Sequence, residues 1–249
     1  MNFKAHYSVL PSPTDLEIHH LGPDLSEGAL PALFYFASSG EESMMKDPYN
    51  QPARFFAESG FRTFSFTLPR HGPGYNTKDA ITFWAQEIAD GKPLIQDFII
   101  KACQNIHYLE DQKIIEPTKL AVAGLSRGGF MAVHLAACYP KLKIILGFAP
   151  MVRLAYLPEF QALSPHLDLV TLVDQLIDRE LRFYIGNRDM RVGTAESFKF
   201  IETLAEAGYQ KGYRSPTAEL VIRPSIGHQG HGTSPETFLD GIHWLKSRL

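Results

Sequence analysis

The chain has 249 residues, of which 45% are hydrophobic and 20% are charged, and its formal net charge is -3. This length allows one large domain with a buried core, and the composition is typical of a soluble globular protein. The small net charge and the lack of a basic run argue against a nucleic-acid partner, and no apolar stretch is long enough to predict a membrane span.

The start of the chain and its cysteines indicate a reducing, cytoplasmic setting. The first residues, Met1 to Tyr7, lack a charged start followed by an apolar core, so we expect no secretory signal. Cys103 and Cys138 fall on two predicted helices among apolar neighbours, as expected for buried free thiols. The sequence leaves the oligomeric state open.

Strand-like and helix-like segments alternate along the chain, without internal repeats or linkers. The predicted strands span 33–37, 62–68, 120–123, 143–148, 181–185 and 219–223. The predicted helices span 48–60, 95–110, 129–137, 195–207 and 235–249, with Ser234 as the N-cap of the last. This alternation predicts a single α/β domain over 1–249, a three-layer α/β/α sandwich with a mostly parallel central sheet.

The alternation pauses between residues 151 and 179. This stretch contains Pro158 and Pro165 and then a short amphipathic run. A long excursion between two strands of such a sheet is where a small cap or lid is inserted, and long loops in compact domains are often functional. An ordinary crossover helix with a long lead-in is the alternative.

The segment Gly124-Leu125-Ser126-Arg127-Gly128 joins the strand predicted at 120–123 to the helix predicted at 129–137. A strand, Gly-x-Ser-x-Gly and a helix form the layout of a nucleophile elbow. The serine occupies a tight turn with its hydroxyl exposed, and glycines two residues to either side allow the strand and helix to approach closely. Ser126 is therefore the candidate nucleophile.

A serine nucleophile needs a base and a carboxylate that orients this base. With a nucleophile elbow, the two are expected later in the chain, first an acid and then a histidine. Asp189 is the only acid in the loop after the strand predicted at 181–185, and we assign it as the carboxylate. Two histidines follow the strand predicted at 219–223, and His231 is favoured as the base over His228 because it lies closer to the last helix.

An oxyanion needs preorganised backbone N–H donors. One donor is expected at Arg127, directly after the nucleophile and at a helix N-terminus. The other is expected in the turn after the strand predicted at 33–37, where Ser39 and Gly40 are the candidates.

These residues together resemble the α/β-hydrolase superfamily, over roughly residues 33–249, and most closely its small serine esterases and dienelactone-hydrolase-like members. The resemblance rests on the elbow, on the Asp189 loop and on the His228/His231 loop, in that order. Ser126 departs from dienelactone hydrolases, which use a cysteine, and Ser38-Ser39 stands where many members have His-Gly.

The resemblance implies a serine hydrolase that cleaves a carboxylic ester or related acyl bond of a small molecule through an acyl-enzyme. A carboxylesterase, thioesterase, lactonase or peptidase could share this machinery, and the implied serine mechanism needs no metal or organic cofactor. Arg127, Arg70 and His71 could place positive charge near the mouth of the site and suit an acidic substrate, or they could be ordinary surface charges.

Two other functions are compatible with the sequence. One is a metal-dependent hydrolase built on His228, His231, His71 and Asp189, although no His-x-His or His-Glu-x-x-His pattern is present. The other is a protein with a hydrolase-like fold that binds a small molecule without turnover, because fold does not determine function.

Overall fold

The computed structural model describes residues 5–161 and 165–249. Its strands are β1 His6–Leu10, β2 Ile18–Gly22, β3 Leu30–Phe36, β4 Arg62–Ser65, β5 Ile115–Leu125, β6 Ile144–Phe148, β7 Glu180–Gly186 and β8 Ala218–Arg223. They form one sheet in the order β1-β2-β4-β3-β5-β6-β7-β8. All pairs from β4 to β8 are parallel, and β1 and β2 add an antiparallel edge next to β4. The predicted mostly parallel sheet is confirmed.

Helices cover both faces of the sheet. They are α1 Gly40–Met45, α2 Gln51–Ala57, α3 Ala80–Ala89, α4 Leu94–Asp111, α5 Arg127–Cys138, α6 Val173–Leu176, α7 Thr194–Gln210 and α8 Pro235–Lys246. Successive side chains of a strand point to opposite faces. In β3, Phe34 and Phe36 therefore pack in the core beneath α3, α4, α5 and α7, whereas Leu33 and Tyr35 pack against α2 and α8. This arrangement is the predicted three-layer sandwich.

The sequence pattern missed the two N-terminal strands and two helices, α1 and α3. In β2 the histidines His19 and His20 occupy buried positions, so the strand lacks the run of apolar residues that marks a buried strand. The His20 ring packs against Phe64 in a tilted arrangement with the ring centroids 5.2 Å apart, and its Nδ1 lies 3.2 Å from Ser8 Oγ. Ser234 is the N-cap of α8, as predicted, and its hydroxyl accepts a hydrogen bond from the Thr237 amide.

Between β6 and β7, the described residues form short 3-10 turns followed by α6. The predicted cap segment, 151–179, includes residues 162–164, which lie outside the described residues. The described part packs into the core through Leu154, Phe160 and Leu169. His134 of α5 donates from Nε2 to the Leu167 carbonyl oxygen (3.1 Å), which ties the segment to the helix below it.

Both cysteines are free thiols, but the expected burial is wrong. Cys103 is half-buried, and Cys138 is exposed because it is the last residue of α5, where the helix leaves the core. Among the described residues, no helix combines the length and apolar character needed to cross a membrane.

Candidate active site

Ser126 lies on a sharp turn between β5 and α5, at the carboxyl edge of the sheet. Its backbone has φ 54° and ψ -115°, a conformation that non-glycine residues rarely adopt. The Ser126 amide donates to the Phe148 carbonyl (2.8 Å), and its own carbonyl accepts from the Met151 amide (3.1 Å). These bonds to β6 and to the segment after it hold the strained turn, and strain of this kind is typical of functional positions.

The two glycines of the elbow are required by close backbone contacts. A Cβ atom on Gly124 would lie 2.2 Å from the carbonyl carbon of Gly128. A Cβ atom on Gly128 would lie 1.9 Å from the carbonyl oxygen of Phe36 in β3. Any larger side chain at these positions would push α5 away from β3 and β5, which explains the Gly-x-Ser-x-Gly pattern sterically.

The structure brings Ser126, His231 and Asp189 into one chain of hydrogen bonds. His231 Nδ1 lies 2.7 Å from Asp189 Oδ2, and because a carboxylate only accepts, this nitrogen carries the proton. The other ring nitrogen, Nε2, then accepts a hydrogen bond from the Ser126 hydroxyl over 2.8 Å. The resulting tautomer is the one that a general base for Ser126 needs.

Asp189 is held by the loop after β7. Its side chain is fully buried, and Oδ1 accepts hydrogen bonds from the amides of Arg191 (2.9 Å) and Val192 (3.0 Å). The Asp189 amide donates to Thr194 Oγ1 over 3.0 Å. These hydrogen bonds fix the orientation of the carboxylate independently of the histidine, and Oδ2 is directed at His231.

The two histidines of the loop after β8 are placed differently. The His231 side chain is only 19% exposed and contacts both Ser126 and Asp189. His228 is exposed in a short 3-10 turn, and its carbonyl accepts from the His231 amide over 3.1 Å. The Met190 amide donates to the Gln229 carbonyl (2.9 Å), which joins this loop to the loop that carries Asp189.

A cavity of about 290 Å³ opens onto the Ser126 hydroxyl. His231 and Arg127 line it, together with Met151 and Leu157 from the segment between β6 and β7. Ligand sites in proteins usually have volumes of about 300–1,000 Å³, so this space suits a small molecule. The sequence pattern did not identify Leu157 as a residue that lines the cavity.

The predicted donors for an oxyanion are only partly available. Arg127 is the first residue of α5, so its amide has no intrahelical partner and lies next to the nucleophile. The Gly40 amide donates to Thr67 Oγ1 over 3.0 Å, so this predicted donor already has a partner in the structure. Ser39 is the N-cap of α1 and accepts from the Glu42 amide over 3.1 Å.

Of the described residues in the turn after β3, Ala37 is the one that lines the cavity, in place of Ser39 and Gly40. The amides of Ala37 and Ser38 both lie 3.1 Å from Ser43 Oγ, to which they donate. The Ser39-x-x-Glu42 spacing is a capping-box pattern and would have indicated that α1 begins at this point.

The three residues expected to carry positive charge near the mouth differ in their surroundings. Arg70 is paired with Glu87, with Nε 3.0 Å from Oε2. Burial, and then the charge of Arg127, lower the pKa of His71 to about 4, so that this histidine is neutral near pH 7. Arg127 lines the cavity, and burial lowers its pKa without removing its charge at neutral pH.

The residues suggested for a metal site do not form a cluster. Across 5–161 and 165–249, no group of three or more His, Cys, Asp or Glu side chains is arranged to hold a metal ion. Both ring nitrogens of His231 are already engaged, by Asp189 and by Ser126.

No protein-family model matches the chain. No curated protein matches it by sequence. Solved structures do match it in three dimensions. TT1662 from Thermus thermophilus is 20% identical with a TM-score of 0.72, and the match covers 98% of each chain. The esterase Pf2001 from Pyrococcus furiosus is 16% identical with a TM-score of 0.66, over 99% of this chain and 91% of that one.

An acylaminoacyl peptidase from Pyrococcus horikoshii is 15% identical with a TM-score of 0.67, and the match covers 99% of this chain but 41% of the peptidase. At these identities the likeness concerns the fold, and it extends to enzymes described as cleaving different bonds. Together with the sheet order and the elbow, it confirms the resemblance found in the sequence at the level of the fold: this chain has the α/β-hydrolase fold.

Proposed function

We propose that this protein is a serine hydrolase that cleaves a carboxylic ester or related acyl bond of a small molecule. Ser126 acts as the nucleophile, His231 as the base and Asp189 as the residue that orients the base. The observation that carries the proposal is the pair of hydrogen bonds at His231, 2.8 Å to Ser126 Oγ and 2.7 Å to Asp189 Oδ2. Both distances are within the range in which a proton can be transferred.

In the acylation step, Ser126 Oγ forms a bond to the carbonyl carbon of the substrate while its proton moves to His231 Nε2. The negative charge that develops on the carbonyl oxygen is stabilised by the Arg127 amide at the N-terminus of α5. The Asp189 carboxylate stabilises the positive charge on the imidazole. His231 then gives the proton to the leaving alcohol as the carbon–oxygen bond breaks, and an acyl-enzyme remains.

In the deacylation step, His231 takes a proton from water, and the hydroxide oxygen attacks the acyl carbon. The bond to Ser126 Oγ breaks, and the proton on Nε2 returns to the serine. A second oxyanion donor would come from the Ala37 or Ser38 amide, and that amide would exchange its bond with Ser43 Oγ for one with the substrate. The amide of Ala37 is favoured because this residue lines the cavity.

We further propose that segment 151–179 acts as a small cap that forms one wall of the cavity. Met151 and Leu157 line the cavity, and Glu159 is joined to Arg191 in the loop that carries Asp189, with oxygen–nitrogen distances of 2.8 and 3.1 Å. These contacts support a cap that lines the cavity and is joined by an ion pair to the loop that carries Asp189.

A neutral fluorophosphonate probe tests the nucleophile without knowledge of the natural substrate. We expect mass spectrometry of the labelled protein to locate the adduct on the peptide that contains Ser126, and Ser126→Ala to abolish labelling. The exposed Ser247, the C-cap residue directly after α8, offers a matched control, and Ser247→Ala should be labelled like the wild type. Absence of an adduct on Ser126 in the folded wild-type protein would refute the proposal.

A further inference from the structure

We infer that the Arg127 guanidinium forms a subsite for a carboxylate on the substrate, so that the preferred esters carry a negative charge close to the scissile bond. This inference rests on the proposed hydrolase function and adds to it the class of substrate. Arg127 follows Ser126 directly, and both residues line the same cavity. A molecule that is bound in this cavity and reaches the Ser126 hydroxyl is therefore also next to Arg127.

The partners that hold Arg127 are uncharged. Its Nη1 donates to the Thr77 carbonyl oxygen and to His71 Nε2, at 3.0 Å each. His71 Nδ1 lies 2.7 Å from the Pro69 carbonyl oxygen, and because a carbonyl only accepts, Nδ1 carries the proton and Nε2 is an acceptor. His71 is buried at 4% exposure, which favours its neutral form. Neither contact compensates the charge of Arg127.

Neighbouring arginines differ from Arg127 in this respect. Arg191, which also lines the cavity, is paired through both terminal nitrogens with the Glu159 carboxylate, and Arg70 is paired with Glu87. In the part of the chain that the structure describes, no carboxylate oxygen lies within salt-bridge distance of Arg127. Glu159 is near enough to influence the pKa of Arg127, but its oxygens are occupied by Arg191.

The edge of the guanidinium without a hydrogen-bond partner is the part that can bind a substrate group. Among the described residues, neither Nε nor Nη2 of Arg127 has a hydrogen-bond partner, since both contacts use Nη1. These two donors form the fork that matches a carboxylate in a bidentate arrangement. A half-buried positive charge without a counter-ion is costly, and an anionic group in the cavity would offset this cost.

A pair of esters with the same leaving group isolates this contact. Mono-p-nitrophenyl fumarate carries a free carboxylate, and methyl p-nitrophenyl fumarate is the same ester with the carboxylate capped. The trans double bond keeps the free carboxylate from attacking its own ester carbonyl, a side reaction that a flexible diacid would allow. We expect kcat/KM of the wild type to be higher for the charged ester. Arg127→Gln should lower the ratio of the two kcat/KM values by about tenfold or more, the size expected for one charge-assisted hydrogen bond.

The ratio is the relevant quantity because the Arg127 amide belongs to the proposed oxyanion site. A substitution at Arg127 can therefore slow the hydrolysis of both esters. Arg54→Gln is the matched control: it removes one positive charge at a side chain of α2 that is 45% exposed and does not line the cavity, and the ratio should stay as in the wild type. Arg127→Lys, which keeps the charge but not the fork, should give an intermediate ratio.

The outcomes separate this inference from the proposed function. If Ser126 is labelled by the neutral fluorophosphonate but Arg127→Gln leaves the ratio unchanged, the carboxylate subsite is refuted and the hydrolase remains. If the wild type is neither labelled nor active on either ester, both proposals are refuted. Wild-type kinetics give a test that needs no variant: salt should lower kcat/KM for the charged ester more than for the capped one, and equal salt dependence would overturn the inference.

Discussion

His231 Nε2 lies 2.8 Å from Ser126 Oγ, although the two residues are 105 positions apart in the chain. They meet because Ser126 follows β5 and His231 follows β8, and parallel strands end at the same edge of a sheet. The contact depends on the tight turn at Ser126 and on the loop after β8, so it is sensitive to changes in either.

The two histidines of the loop after β8 should differ sharply on mutation. We expect His231→Ala to lower kcat for a small activated ester by about 10⁴-fold or more, because the serine loses its base. His228→Ala is the control in the same loop, and since His228 is exposed it should change kcat by no more than about threefold. A larger loss in His228→Ala than in His231→Ala would contradict the assignment of the base.

Replacing the Asp189 carboxylate by an amide should reverse the histidine tautomer. In Asp189→Asn, the side-chain oxygen would still accept hydrogen bonds from the amides of Arg191 and Val192. The side-chain NH2 group would then face His231 Nδ1. The proton would then move to Nε2, which could no longer accept from Ser126, and kcat should fall by about 10⁴-fold.

Asp168→Asn is the matched control for this change. Asp168 is also a buried acid, and its Oδ1 accepts from the Leu154 amide over 2.8 Å, a bond that asparagine can keep. We expect its activity to remain near that of the wild type. Equal losses in the two variants, measured as kcat on the same ester, would show that the acid at 189 has no special role.

The glycine at position 128 should be essential for stability. The methyl group of Gly128→Ala would meet the Phe36 carbonyl oxygen, a backbone atom that cannot rotate away, so we expect a loss of about 3 kcal/mol or more in the free energy of unfolding. Gly72→Ala is the control, because its Cβ would lie 3.6 Å from the Thr67 side chain. Urea denaturation of both variants measures the difference, and equal midpoints would contradict the steric explanation.

Buried histidines should make the fold less stable in mild acid. Burial lowers the pKa of His134 to about 4, below the value of about 6.5 expected in the unfolded chain. Between these values the unfolded state binds a proton that the folded state does not, so stability is complete above pH 6.5 and falls as the pH drops towards 4. His134 alone should cost about 2 kcal/mol between pH 8 and pH 5.

The variant His134→Gln keeps a donor for the Leu167 carbonyl but cannot titrate. We expect its free energy of unfolding to fall by about 2 kcal/mol less than that of the wild type between pH 8 and pH 5. His20 and His71, which also have pKa values lowered to about 4, contribute equally to both proteins and cancel in the comparison. Parallel pH profiles for the two proteins would refute the role of His134.

Breaking the ion pair between Glu159 and Arg191 tests how charge in the cavity affects substrate preference, because the direction of the expected change is known. Glu159→Gln would leave Arg191 without its carboxylate partner and raise the positive potential around a bound ester. The preference for mono-p-nitrophenyl fumarate over its methyl ester should increase by about 2- to 10-fold. A decrease in this ratio, from the same kcat/KM measurements, would mean that Glu159 does not act by neutralising Arg191.

The order of apolar and polar residues along the chain predicted those structural elements that depend on a few neighbouring residues. The alternation of segments predicted the parallel sheet, and the spacing of Gly124, Ser126 and Gly128 predicted a sharp turn between strand and helix, which the structure has. The pattern failed where burial depends on another strand: His19 and His20 are polar by type, yet both are buried in β2, where Tyr7 and Ser8 of β1 form hydrogen bonds with them.

The sequence by itself determined the α/β architecture and the turn at Ser126, because apolar periodicity and the steric needs of glycine act over a few residues. Only the tertiary structure decided which histidine reaches Ser126, which residue of the turn after β3 lines the cavity, and that Arg127 has no carboxylate partner among the described residues. Each of these depends on distances between loops that are far apart in the chain, and such distances are set by the packing of the whole sheet.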